Sequence, residues 1–199
     1  MRVKTEEKRL AIIEIAKEAF FSQGFEKTSM SYISQQLGGS KATLYNYFSS
    51  KDEIFYAVME SSATEQIANA FNSLNNAKAI RASLIAFGIN YLDSILTPEL
   101  MAIQRMVMAE AGKSDLGKKF YSKGPKRGWD EVSQFLTLRI ANKELRADIE
   151  PWHATMQLKG LLEAELVMPY SLGAIDKPAA KQIRDIVERA IDAFLRLNQ

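Results

Sequence analysis

Apolar side chains recur every three or four residues along most of this chain, and that spacing is the period of an α-helix. The apolar residues that share one face in residues 5–23 are Ile12, Ile13, Ala16, Ala19 and Phe20. Runs of β-branched residues bounded by Asn-Gly or Asp-Gly turns are absent from the sequence, so no hairpin is predicted. The predicted fold class is therefore all-α.

Glycines, prolines and hydroxyl residues predict where these helices begin and end. Gly24 ends the first helix, Thr28 caps a short second one, and Ser40 caps a short third one after Gly38-Gly39. Ser50-Lys51-Asp52-Glu53 has the form of a capping box and opens a long helix that runs to about Asn75. Four prolines stand where an N1 proline would open later helices: Pro98, Pro125, Pro151 and Pro178.

The composition excludes several classes of protein. The 199 residues contain no cysteine and one histidine, which excludes disulfides, thiolate metal sites and cysteine nucleophiles. No run of 18 apolar residues occurs, and a charged start replaces the apolar segment of a signal peptide, so we expect a cytoplasmic protein.

Charge divides the chain unevenly. Residues 1–51 hold eight Lys and Arg against five acids, a net charge of +3, whereas the whole chain has +2. We therefore predict two domains, a small basic one at 1–51 and a larger helical one at 52–199. A basic first domain favours a polyanionic partner, although a solvated helix surface would give the same excess.

The third predicted helix has the two faces that a DNA-reading helix needs. On a helical wheel Leu44 and Phe48 point to the core, whereas Ala42 and Asn46 lie opposite, with Thr43 beside them. Asn can pair with adenine, and Ala or a Thr methyl can touch the thymine methyl group. Tyr45, Tyr47 and Lys51 would reach phosphates, which position a protein without reading sequence. An exposed face on an ordinary helical corner is the alternative.

Residues 12–58 resemble the TetR family of bacterial transcriptional regulators. The resemblance rests on Phe20-x-x-x-Gly24-Phe25, on residues 28–33 and on residues 38–51, which end in Leu-Tyr-Asn-Tyr-Phe-Ser-Ser-Lys. It implies a helix-turn-helix in which Thr28 and Lys51 clamp phosphates. It also implies that five residues occupy positions of the recognition helix that touch DNA: Lys41, Thr43, Tyr45, Asn46 and Tyr47. The predicted DNA-binding residues are Thr28, Ser29, Ser40, Lys41, Ala42, Thr43, Tyr45, Asn46, Tyr47 and Lys51.

Two residues depart from the family pattern. Ser34 replaces a usual alanine, and Gly39 replaces the valine that usually plugs the turn. Neither is a predicted contact residue, and with Gly39 we expect a looser or differently packed turn.

Residues 52–199 resemble the C-terminal domains of the AefR-like subgroup through residues 106–111, 120–125 and 145–148. Aromatic and methionine side chains are dense between residues 87 and 156, so we expect a pocket for a small apolar or aromatic effector of unknown identity, although most of these residues also suit a plain core. The predicted pocket residues are Phe87, Tyr91, Met106, Phe120, Tyr121, Trp129, Trp152 and Met156.

The apolar stripes of the last two long predicted helices, at residues 155–168 and 178–197, predict a homodimer. Two antiparallel helices that meet their symmetry mates would form a four-helix interface, as the resemblance implies, and the alternative is that both stripes face their own core. The predicted interface residues are Leu158, Leu162, Leu166, Ile183, Val187, Ile191 and Phe194.

The predicted function is a DNA-binding regulator, and specifically a repressor that binds a palindromic operator. No phosphate loop, nucleophile elbow or metalloprotease motif occurs, so neither catalysis nor a cofactor nor a metal is predicted. A helical adaptor that binds only protein remains the alternative. The sequence leaves open the operator, the effector and the direction of its effect.

Overall fold

A computed structural model describes residues 5–62, 65–75 and 79–199. Within these residues the chain forms twelve α-helices and one 3₁₀ turn, and its only β-type pairing is an isolated bridge between Ala111 and Ser114. The helices are α1 Glu6–Gln23, α2 Met30–Gln36, α3 Lys41–Tyr47, α4 Lys51–Ser62, α5 Glu65–Asn72, α6 Ile80–Ile95, α7 Pro98–Ala109, α8 Leu116–Lys123, α9 Pro125–Ala141, α10 Pro151–Glu163, α11 Val167–Ser171 and α12 Ala180–Asn198, with the 3₁₀ turn at Ser73–Asn75. The all-α prediction is confirmed.

The chain packs as two compact units. The first contains α1 to α4 together with residues 102–120, and the second contains α5, α6 and residues 121–199. The predicted domain boundary after residue 51 stays a prediction. In the structure, α4 packs with the first three helices, and residues 102–120 belong to the same compact unit.

The first unit has its own apolar core. The apolar face predicted for α1 is buried, and Leu44, Ile33 and Ile54 close the core from α3, α2 and α4. Three phenylalanines form its centre, with ring centroids 5.1 to 5.5 Å apart: Phe20, Phe25 and Phe55. This core fixes the orientation of α3 because Leu44 and Phe48 are both anchored in it.

In the second unit, α6 lies against α10 and α12. A Cβ built on Gly88 of α6 would stand 2.8 Å from a methyl carbon of Val187 and 2.9 Å from one of Leu162. Such distances show that the helices approach each other as closely as a glycine allows. The packing of α6 in this unit therefore requires a glycine at position 88.

Two predicted helix starts are wrong by one or two residues. The N-cap of α2 is Ser29, whose hydroxyl accepts the backbone N–H of Tyr32 at 3.1 Å, because the Thr28 side chain turns into the core. Pro178 lies two residues before the first residue of α12, so it is not an N1 proline. Pro98, Pro125 and Pro151 do open helices as predicted.

The long helix predicted from Asp52 to about Asn75 is described as α4 and α5 followed by the 3₁₀ turn. Its continuity falls on residues 63–64, which lie outside the described residues. In the described part of the chain, no helix has the length and apolar character that crossing a membrane requires.

Candidate functional site

Helix α3 presents the two faces that the wheel predicted. Leu44 and Phe48 are 0% and 2% exposed, whereas Asn46 and Tyr45 are exposed on the other side. The Ser40 hydroxyl caps the helix by accepting the backbone N–H of Thr43 at 3.1 Å. Lys41 and Ala42 are also exposed, at the first turn. Helix α3 thus exposes a short polar surface to solvent, and its buried side chains fix its position on the core.

The turn between α2 and α3 is closed by the two residues that depart from the family pattern. Gly38 has a φ of 67°, in the left-handed region that favours glycine. The hydroxyl of Ser34 is buried and donates a 2.9 Å hydrogen bond to the carbonyl oxygen of Gly39. A polar link therefore closes a turn that a valine side chain usually plugs.

Tyr47 links α3 to the start of the chain. Its side chain is half-buried, and its hydroxyl accepts a 3.0 Å hydrogen bond from the backbone N–H of Thr5. This contact holds the beginning of α1 beside the end of α3. A phosphate contact by Tyr47 stays a prediction.

Thr28 does not present its hydroxyl at the surface of this structure. The residue is 1% exposed, and the hydroxyl lies 2.8 Å from the carbonyl oxygen of Gly24 and 3.3 Å from that of Ala19. The side chain fastens the end of α1 to the start of α2. Its neighbour Ser29 is exposed and holds the N-cap position.

Lys51 is likewise engaged within the protein. Its ammonium donates to the carbonyl oxygens of Phe25, at 2.7 Å, and Glu26, at 3.3 Å, and lies 4.1 Å from the centroid of the Phe25 ring. Partial burial lowers the pKa of Lys51, and the charges of Glu110, Asp52 and Glu26 oppose that shift. A phosphate contact by Lys51 would compete with these bonds.

A segment that sequence reasoning placed in the effector domain packs in the first unit. The Tyr56 hydroxyl lies 3.4 Å from the carbonyl oxygen of Leu116, and Lys113 lies 3.7 Å from the buried Glu110 and 3.9 Å from Glu26. The predicted pocket residues Met106 and Phe120 belong to this unit. No short-range pattern in the sequence indicates the contacts of Tyr56 with Leu116 and of Glu26 with Lys113, because each pair is at least 60 positions apart.

The second unit brings three predicted pocket residues together: Phe87, Tyr91 and Trp129. Phe71, which sequence reasoning missed, completes a cluster in which every pair of ring centroids lies 5.0 to 6.3 Å apart. Trp152 and Met156 pack partly buried against the same core, whereas Tyr121 is exposed. The apolar spacing of Ala70, Phe71 and Leu74 was the available signal for a buried Phe71.

A chain of hydrogen-bonded polar side chains, called the polar chain below, lies at one end of this aromatic cluster. The Tyr91 hydroxyl donates to the Glu163 carboxylate, and the Lys159 ammonium donates to the other carboxylate oxygen. Burial, and then the charge of Glu163, raise the pKa of Tyr91 well above its usual value. The sequence analysis did not predict this pairing.

All seven predicted dimer-interface side chains lie in the core of a single chain. Their exposures are 2% or less: Leu158, Leu162, Leu166, Ile183, Val187, Ile191 and Phe194. Because their own chain already encloses them, they offer no surface to a second copy. Their burial agrees with the alternative, a core within the unit, and the homodimer itself stays a prediction.

Among the described residues, no group of three or more His, Asp or Glu side chains is placed to hold a metal ion. The chemistry that the first unit does offer is hydrogen bonding from an exposed, rigid helix of amide, hydroxyl and ammonium groups. That set suits base edges and phosphates.

Comparison with known protein families matches both parts of the chain. The model for bacterial regulatory proteins of the tetR family matches residues 12–58. The model for the C-terminal domain of AefR-like transcriptional repressors matches residues 82–197, more than half of the chain.

Individual relatives agree with these matches. A solved structure of a TetR-family regulator from Mesorhizobium loti has a TM-score of 0.82 at 24% identity, over 98% of this chain and 99% of that one. The flavonoid-responsive regulator FrrA has a TM-score of 0.77 at 28% identity, over 98% of each chain. The transcriptional activator FasR of Mycolicibacterium smegmatis is 30% identical over 90 residues, which are 43% of this chain and only 41% of that relative's length.

Proposed function

The chain belongs to the TetR family of bacterial transcriptional regulators, and we propose that it binds a palindromic operator as a homodimer, represses transcription and releases DNA when a small apolar or aromatic effector binds. The observation that carries the DNA-binding part is the exposed polar face of α3, opposite the buried Leu44 and Phe48. The cytoplasm is the compartment in which such a protein would meet DNA.

Base reading is assigned to the exposed residues of α3. Asn46 is exposed on the face opposite Leu44, so its amide is available to an adenine edge, and Ala42 lies one turn away on the same face. Lys41 and Tyr45 flank this face and would bind phosphates.

Selection of bound sites from random DNA tests this assignment. We expect a palindromic consensus for the unaltered protein and a changed consensus for Asn46→Ala, because a bidentate base contact is worth about 1–3 kcal/mol of discrimination. Gln134→Ala, at an exposed position of α9, is the matched control and should leave the consensus unchanged. Failure of the unaltered protein to bind any DNA at low salt would favour the protein-binding adaptor instead.

The homodimer is assigned to the outward face of α10. Gly160 lies inside this helix, where a glycine weakens the helix, yet a Cβ there would meet nothing within 4 Å. Ala164 beside it, and Met168 and Leu172 beyond, are exposed. A small residue without a neighbour in its own chain suits the close approach of a second copy.

Substitution of Gly160 tests the interface. We expect light scattering to give about twice the 22.4 kDa chain mass for the unaltered protein and the single mass for Gly160→Arg. Gln134→Arg adds the same charge to an exposed helix face and should remain dimeric. A Gly160→Arg protein of double mass would remove α10 from the interface.

An aromatic effector is supported by the ring cluster of the second unit and by the similarity to FrrA, which is a flavonoid-responsive regulator. The repressor role is supported by the AefR-like repressor model. Deletion of the gene should raise transcription from the promoters that the protein binds, and a fall in transcription would indicate an activator.

A further inference from the structure

Four aromatic rings of the second unit form one mutually contacting cluster, contributed by α5, α6 and α9. Every pair of centroids lies within 6.3 Å, and the closest pair, Tyr91 and Trp129, lies at 5.0 Å. Phe87 and Tyr91 are stacked, with 18° between their planes. Phe71 is the most exposed of the four rings, at 9%, and it lies in the last turn of the eight-residue α5.

The Phe71 ring rests directly on the backbone of α9 at Gly128. A Cβ on Gly128 would stand 2.4 Å from Cζ of Phe71 and no more than 3.0 Å from two further ring carbons. Since real Cβ atoms are not found that close, only glycine admits the ring at this place. Gly128 and the other three rings therefore bound a space of aromatic shape that Phe71 fills.

One end of the cluster is polar and carries no net charge. Tyr91 donates to Glu163, and Lys159 pairs with the same carboxylate while its ammonium lies 6.0 Å from the centroid of the Trp129 ring. Glu163 and Lys159 keep 18% and 33% of their side chains exposed. The cluster thus joins a buried apolar site to a partly hydrated carboxylate and ammonium.

We infer that the Phe71 side chain is a plug, and that a flat aromatic molecule bearing a neutral hydroxyl group takes its place against Gly128, Phe87, Tyr91 and Trp129 and bonds through that hydroxyl to Glu163. The inference rests on the proposed function in one respect, since this molecule would be the effector.

The charges of the polar chain select the ligand class. Glu163 would repel a carboxylate on the ligand, and Lys159 would repel a cation. Because the two charges of this pair cancel, neither ion gains a net attraction that offsets its loss of hydration. A hydroxyl group can donate to Glu163 and accept from Lys159 at the same time. The rings of Phe87 and Trp129 contact Phe71 at tilted and edge-on angles of 52° and 88°, and they would give the ring of a ligand the same apolar contact.

Two depressions in the surface of the described residues lie elsewhere. One, of about 560 Å³, is lined by residues within 111–118, and the other, of about 330 Å³, is lined by residues around Glu165 and Arg189. No ring of the cluster lines either of them. The four rings are between 0% and 9% exposed, so a ligand reaches the proposed site only when Phe71 moves.

Titration calorimetry of the full chain without DNA tests the inference with four matched probes: naphthalene, 2-naphthol, 2-naphthoate and 2-naphthylmethylammonium. For the unaltered protein we expect 2-naphthol to bind at least tenfold more tightly than each of the other three. Equal binding of the four probes, or tightest binding of the acid or the amine, would overturn the assigned ligand class.

Variants of Phe71 test the plug. Phe71→Leu and Phe71→Ala should each bind 2-naphthol at least fivefold more tightly, because the ligand no longer has to displace a ring. Phe135 is a buried ring of α9 that does not belong to the cluster. Phe135→Leu is therefore the matched control and should bind 2-naphthol as tightly as the unaltered protein does. Thermal unfolding of each variant verifies that it is folded, and Phe71→Leu, the milder change, serves if Phe71→Ala does not fold. Equal effects at Phe71 and Phe135, or no binding by Phe71→Leu, would overturn the plug.

The hydroxyl contact has its own test in Glu163→Gln. We expect the preference for 2-naphthol over naphthalene to fall below threefold while the affinity for naphthalene is unchanged, and an unchanged preference would contradict the contact. DNA binding is measured separately: a protein that binds operator but no probe overturns only this inference, and one that binds 2-naphthol but no DNA overturns only the proposed function.

Discussion

The buried hydroxyl of Ser34 donates a 2.9 Å hydrogen bond to the carbonyl oxygen of Gly39, which joins the two positions of the helix-turn-helix that depart from the family pattern. In this chain the turn is fastened through a polar contact at the place where relatives are expected to have an apolar one. The orientation of α3 depends on this turn, because Ser40, the N-cap of α3, follows Gly39 directly.

Ser34→Ala should therefore lower the free energy of unfolding by about 0.5–1.5 kcal/mol, the usual worth of such a hydrogen bond. Gly39→Ala should raise it by about 0.4–1 kcal/mol, because a Cβ there meets Leu37 at an ordinary 3.7 Å and the unfolded chain loses freedom. Urea unfolding of both variants measures the two effects. A Ser34→Ala protein as stable as the unaltered one would show that the bond contributes nothing.

Substitution of Lys41 should change the affinity for DNA, whereas substitution of Lys51 should change the stability of the first unit. Lys41 is exposed at the first turn of α3, so Lys41→Met should weaken binding to all DNA sequences and reduce the slope of log affinity against log salt by about 1. Lys51→Met should instead destabilise the first unit by about 1–3 kcal/mol, because the carbonyl oxygens of Phe25 and Glu26 lose a charged donor.

DNA titrations at several salt concentrations, paired with urea unfolding, separate the two lysines. If Lys51→Met lowers the salt slope while leaving the free energy of unfolding unchanged, Lys51 is a phosphate ligand and not a structural residue.

The recognition helix was predictable because its two faces are set by local spacing. Leu44 and Phe48 had to be buried together, and that fixed the exposure of Asn46 on the opposite side. The cap of α2 was misplaced by one residue because Thr28 and Ser29 are both good caps, and only the fold shows that Thr28 bonds to carbonyl oxygens of α1 and of its C-cap, Gly24.

The apolar stripes of α10 and α12 could not reveal their partner from sequence. A stripe such as Leu158 and Leu162 satisfies the same spacing whether it meets its own chain or a second copy, and here its own chain encloses it. The contact of Phe71 with Gly128 joins residues 57 positions apart, and no local pattern carries such information.

Gly88 should not tolerate a side chain. The Cβ of Gly88→Ala would meet Val187 at 2.8 Å and Leu162 at 2.9 Å, so we expect a loss of about 1–3 kcal/mol in the free energy of unfolding despite the better helix propensity of alanine. Gly117→Ala on α8 is the control, since its Cβ would stand 4.0 Å from Val107, an ordinary van der Waals contact. Thermal and urea unfolding measure both, and equal stability of the two variants would mean that α6 can shift away from α10 and α12 without cost.

Tyr91 should make the stability of the second unit fall in alkaline solution. Burial raises the pKa of its hydroxyl well above the ordinary value of 10.0, so the phenol stays protonated in the folded chain while it ionises in the unfolded one. Its stabilising contribution is complete below about pH 10 and is lost as the pH rises further, with a slope of up to about 1.4 kcal/mol per pH unit.

Tyr91→Phe has no such proton and also lacks the bond to Glu163, so it should be less stable than the unaltered protein at pH 8 by about 1–3 kcal/mol, and the difference should narrow above pH 10. Urea unfolding at pH 8, 9, 10 and 10.5 measures this, with Tyr121→Phe, at an exposed position of α8, as the control. Parallel curves for the unaltered chain and Tyr91→Phe would show that the Tyr91 hydroxyl ionises as readily in the folded chain as in the unfolded one.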